Sequence, residues 1–82
     1  MLETRRYKIV ASLVHKLSGE FEARKDLVTS DYYEAEKVFD EWKARTPPSG
    51  FRWEVEFVQS IETTNTFLFF DGEKLIRKGE LK

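Results

Sequence analysis

The side chains able to do chemistry in this sequence are few, and none stands in a pattern that chemistry needs. There is one histidine, His15, and no cysteine. Neither a Cys–His nucleophile pair nor a zinc site of thiolates and imidazoles can be assembled from that inventory. A serine triad would need His15 with Asp26 or Asp31, and no serine stands in a nucleophile-elbow motif. Glu54 and Glu56 are two residues apart, the spacing that places two carboxylates on one face of a strand. Such a pair can do acid–base work in principle, but a solvated strand face is the simpler reading. The four glycines are scattered beside turns and form no phosphate-cradling loop. The expectation is therefore no enzyme, no metal and no cofactor. His15, on a strand face shared with leucines, reads as a structural residue.

The elements that would position any functional side chain are organised around Ser30 to Arg45. Tyr32, Ala35, Val38, Phe39 and Trp42 recur at spacings of three and four, which predicts a helix with one apolar stripe. Asp31 and Glu34 near its start, with Lys43 and Arg45 near its end, suit the helix dipole. Ser30 is one candidate cap and Asp31 with Glu34 another. A helix this short cannot bury its stripe alone, so the flanking strands must supply a sheet beneath it. Trp42 is expected to anchor it on Trp53 and Phe57.

Before the helix, Tyr7 to Leu17 alternates, with Tyr7, Ile9, Ala11, Leu13, His15 and Leu17 on one face. Ser18 and Gly19 supply a turn, and Phe21, Ala23 and Leu27 continue the apolar face of a hairpin. Lys25 interrupts that face, which places it near a sheet end with its ammonium reaching water. After the helix, Thr46-Pro47-Pro48-Ser49-Gly50 stops it. Phe51, Trp53, Val55, Phe57 and Ile61 then alternate with Arg52, Glu54, Glu56 and Ser60. A polar loop over Glu62 to Asn65, a strand over Thr66 to Phe70, a turn at Asp71-Gly72 and a last strand over Lys74 to Lys78 follow. The predicted fold is α+β, an antiparallel sheet of four or five strands packed on a single helix, in the order β-β-α-β-β-β and in one domain spanning 1–82.

Composition bounds the partners. Charged residues are 35% of the chain, yet 14 lysines and arginines against 15 aspartates and glutamates leave a net charge of −1. That balance favours neither a DNA binder nor an acidic tail protein. No apolar run is long enough to span a membrane, and the opening MLETRRYKIVASLV lacks the apolar core of a signal peptide, so a cytoplasmic protein is expected.

Two surfaces remain as candidates for binding a larger protein. The helix carries an acidic outer side, where Tyr33 stands among Glu34, Asp40 and Glu41, a combination suited to a basic protein surface. The second is Thr66 to Phe70. Strict alternation pairs Phe67 with Phe69 on one face and Leu68 with Phe70 on the other, so one pair must lie opposite the helix. Val10, Val14 and Val58 are apolar on the side away from their strands' core residues. Either the last hairpin curls over that side or a partner covers it; Leu68 and Phe70 are the binding candidates there. A monomer is favoured over a homodimer, since Lys74, Arg77 and Lys78 read as charges of an edge strand that resists pairing. The alternative function is nucleic-acid binding. Arg5, Arg6, Lys8 and Lys16 flank the first strand and Lys74, Arg77, Lys78 and Lys82 the last, and they would form a basic edge if those strands were neighbours.

From Glu34-Ala35 through Glu41-Trp42 to Pro48-Ser49-Gly50-Phe51 and Glu54-Val55, the chain resembles the small podophage inhibitors of host RNA polymerase. The resemblance spans Tyr7 to Val58. In that family a hairpin leads into an acidic helix ending near a Glu-Trp pair, and a proline-glycine-phenylalanine turn starts the next strand. The family contacts polymerase through arginines of that strand. Here it offers Glu54, Glu56 and Phe57, with Arg52 its basic residue, so no binding residue carries over. What the resemblance implies is a class: phage-like proteins that bind and block a larger host machine, polymerase inhibitors and anti-defence proteins among them.

Overall fold

The computed structural model describes residues 5–60 and 64–79. Expectations that involve residues 1–4, Ile61, Glu62, Thr63, Glu80 and Lys82 fall outside these. β1 (Arg6–His15) and β2 (Phe21–Thr29) precede a helix, α1 (Tyr32–Lys43), and β3 (Phe51–Ser60), β4 (Thr64–Phe70) and β5 (Leu75–Arg77) follow it. All pairings are antiparallel and the order across the sheet is β2-β1-β3-β4-β5. The fold is the α+β arrangement of one helix on one sheet.

The core lies between α1 and the central strands. Ile9 and Ala11 of β1 face Phe57 and Val55 of β3, and all four are at most 1% exposed. Ala35 and Phe39 of α1 are buried against them, with Tyr32, Val38 and Trp42 half-buried on the same stripe. Phe57 is the hub. Its ring lies within 5.4–6.1 Å of Phe39, Phe67, Tyr32 and Tyr7, three of these contacts edge-on, the geometry in which ring quadrupoles attract.

Local chemistry sets the boundaries. Asp31, not Ser30, caps α1: its Oδ1 accepts from the amides of Tyr33 (2.9 Å) and Glu34 (3.4 Å). The Thr29 hydroxyl accepts the Asp31 amide at 3.1 Å and fixes the turn into the helix. Leu17 is not on the β1 face; it sits in the turn after His15 and is fully exposed. β4 begins two residues earlier than expected, since Thr64 and Asn65 pair with Ser60 and Gln59. β5 is shorter than expected, at three residues. Before it, Asp71 accepts the amides of Glu73 and Lys74, both at 2.9 Å. Those hydrogen bonds from the Lys74 and Glu73 amides hold its carboxyl below the ordinary carboxylate range. Gly72 has φ +100°, and a side chain there would meet the Arg52 Cβ at 3.0 Å and the Trp53 carbonyl at 3.2 Å. Only glycine fits that close approach.

Two expectations for the aromatic strand are corrected. β4 holds one extra residue between the pairs Phe57–Leu68 and Val58–Thr66, and that residue is Phe67. The bulge breaks the alternation. Phe67 is buried in the core with Leu68 and Phe70 packed against it, while Phe69 faces the other way, opposite Ile76. The last hairpin does not curl over the far face either: β5 pairs with β4 and extends the sheet. Val10, Val14 and Val58 are nevertheless 7%, 1% and 7% exposed. Each stands directly opposite a long charged side chain, Glu56, Arg52 and Lys8 respectively. All three of those side chains are half-buried, and the stems of long charged residues can cover apolar surface in this way.

Candidate docking surface

Capping by Asp31 and the buried stripe fix how α1 is rotated, and that rotation decides what it shows to solvent. Tyr33 is 79% exposed, its ring edge-on to Tyr32 at 5.8 Å. Glu34, Glu36, Asp40 and Glu41 are exposed along the same helix, with Lys37, one turn from Tyr33, its exposed cation. Lys43 bends back over the Phe39 ring at 4.8 Å and reaches Asp40 at 3.3 Å. The Tyr32 hydroxyl is pushed above its ordinary range, first by burial and then by the Glu36 carboxylate one turn along. The outer side of α1 is thus a net acidic surface on a rigid support, with one aromatic ring raised above it. Tyr33, Glu34, Asp40 and Glu41 are all exposed along this helix. The structure does not bring Leu68 and Phe70 to a free face; both are half-buried on the helix side of the sheet.

The far face carries paired charge over its central strands, with exposed Phe21, Arg24 and Val28 at its β2 edge. The Arg52 guanidinium donates twice to Glu54 Oε2, at 2.9 and 3.2 Å. Thr66 donates to Glu56 at 3.0 Å, and Lys8 lies 3.6 Å from Asp26. Lys78 stands over the Phe69 ring at 5.8 Å. The basic edge imagined for nucleic acid is not assembled, because β3 and β4 separate β1 from β5. His15 is half-buried, its ring 4.3 Å from Phe51 and its Nε2 2.9 Å from Glu22. Among the described residues, no group of three or more His, Cys, Asp or Glu could hold a metal ion, and no helix is long and apolar enough to cross a membrane.

One cluster escaped the sequence reading. Lys25 lies mid-strand opposite Ala11, not at a sheet end. Its ammonium rests over the Trp42 ring at 4.5 Å and the Trp53 ring at 5.9 Å. Loss of hydration, and then the like charge of Arg45, lowers its pKa; the faces of the two indoles act in the opposite sense. Trp53 Nε1 is buried without an acceptor among the described residues. The signal was present in the sequence, as one lysine on an apolar face and two tryptophans on the elements that flank it.

No family model, curated protein or solved structure matches the chain.

Proposed function

We propose that this chain is a non-enzymatic protein-binding module, an inhibitor or regulator that docks the outer side of α1 on a basic surface of a larger complex. The observation that carries this reading is Tyr33, 79% exposed on the outer side of a helix where exposed Glu34, Glu36, Asp40 and Glu41 outnumber exposed Lys37 and whose other side packs on the sheet. Tyrosine supplies contact area at little entropic cost, and the surrounding charge accelerates encounter with a cationic partner. The resemblance to podophage inhibitors makes bacterial RNA polymerase the first target to test, with nucleic-acid and defence machinery next. The nucleic-acid reading has lost the neighbouring basic strands on which it depended.

The test is association kinetics with purified RNA polymerase at several salt concentrations. Glu34→Lys, Asp40→Lys and Glu41→Lys combined with Tyr33→Ala are expected to slow association by roughly tenfold or more at low salt, with far-UV circular dichroism unchanged. An unchanged association rate for this variant at every salt concentration overturns the docking face.

A further inference from the structure

β2 is a nine-residue strand at one edge of the sheet. Its residues Phe21, Glu22, Ala23, Arg24, Asp26 and Val28 are exposed. An edge of that length offers a row of unpaired backbone groups to another strand. The opposite edge of the sheet, β5, is three residues long.

Edges are usually guarded by an outward-reaching charge, above all lysine. Here that guard is withdrawn. Lys25, in the middle of β2, reaches inward across β1, where Ala11 leaves room, to lie on Trp42 of α1 and Trp53 of β3. Of the charges left at the edge, Glu22 is held by His15, and Arg24 and Asp26, of opposite sign, flank Lys25 on the far face of the sheet. Arg24 forms no ion pair with the described residues, and Asp26 holds an exposed contact of 3.6 Å to Lys8.

We propose that β2 pairs with β2 of a second copy of this chain, antiparallel about a two-fold axis at Lys25, so that two sheets join edge to edge. In that register Arg24 lies opposite the partner copy's Asp26, twice by symmetry, and Ala23 lies opposite its Leu27 on the helix side. Opposite charges across a strand pair attract, and a symmetric self-complementary patch is the commonest way to close a dimer. The register is selective. An axis at Lys25 sets that lysine opposite its own copy, but each ammonium is drawn away from the edge onto Trp42 and Trp53 of its own chain. An axis at Arg24 sets two exposed arginines face to face and Glu22 against Asp26; an axis at Asp26 sets two exposed carboxylates face to face. In the same register Glu22, the residue skipped between the pairs Leu13–Ala23 and Val14–Phe21, falls opposite the partner copy's Val28 near the end of the pairing.

Sedimentation equilibrium over a wide concentration range, with amide hydrogen exchange on the same samples, tests the proposal. The wild-type chain is expected to dimerise, with alternate amides of β2 gaining protection as dimer forms. Arg24→Glu is expected to weaken association by tenfold or more, and adding Asp26→Arg to restore it; both positions are exposed, so circular dichroism should not change. A chain that stays monomeric at every concentration overturns the proposal and leaves the edge to a strand of another protein. A dimer untouched by Arg24→Glu, or one whose β2 amides gain no protection, overturns it equally.

Discussion

At its first turn α1 meets the sheet through rings, Tyr32 lying 5.5 Å from Tyr7 and 5.8 Å from Phe57. At its last turn Trp42 reaches the sheet through a cation, the Lys25 ammonium that also overlies Trp53. The two ends do the same job with different physics. The ring cluster depends on volume: Phe57 is 1% exposed and any loss of ring leaves a hole that its neighbours cannot fill. The lysine end depends on a flexible stem between two flat surfaces that are themselves half-open to water. Its charge is partly desolvated and partly attracted, and the two effects oppose each other. A small domain can therefore tolerate a lysine on the buried face of its sheet, provided aromatic faces replace some of the water it gives up.

The contrast breaks most readily at Phe57. Phe57→Ala should cost about 3–5 kcal/mol, a large share of what a domain of this size has. A urea denaturation curve displaced by less than about 1 kcal/mol would mean that the ring cluster is not the stronger end. Trp42→Ala should cost less, about 2–3 kcal/mol, because its ring is half-exposed from the start; a loss larger than that of Phe57→Ala would invert the comparison.

The smallest expected effect sharpens it. Lys25→Met keeps the stem between the indoles and removes the charge, so stability should change by less than about 1 kcal/mol in either direction. The folded-state pKa of Lys25 is lowered, so just below its ordinary titration range the unfolded chain binds more protons than the folded one. Its contribution to stability should then rise as pH rises through that window. Wild-type and Lys25→Met stabilities measured across the alkaline range should converge or diverge accordingly. Identical pH dependence in the two chains would show that the ammonium is as well solvated as in the unfolded state.

The ring end was legible because its residues obey period. Tyr32, Ala35 and Phe39 repeat at helical spacing, Ile9 and Ala11 or Val55 and Phe57 at strand spacing, and each pattern names its buried face without reference to the others. The lysine end was not, because its logic lies between elements. Lys25 reads as an interruption until β2, β3 and α1 are brought together around it. The bulge at Phe67 was hidden for a related reason. An extra residue in a strand is defined by what its partner lacks, and the run Thr66 to Phe70 alternates no less plausibly without one. At the candidate docking surface, Tyr33 and its carboxylates could be placed because they are the complement of a strong stripe. Leu68 and Phe70 could not, since the bulge decides their side.

The sorting of ring types along α1 has an optical consequence. All three tyrosines belong to its first turn or the strand beneath it, joined in a chain Tyr7–Tyr32–Tyr33 with centroids 5.5 and 5.8 Å apart. Both tryptophans stand at its other end, under one ammonium. Indole emission therefore reports one end of the helix and phenol absorbance the other. Indole emission excited at the red edge, where phenols do not absorb, and phenol difference absorbance together record whether α1 lifts from the sheet as a single body or peels from one end, and no label has to be added to see it.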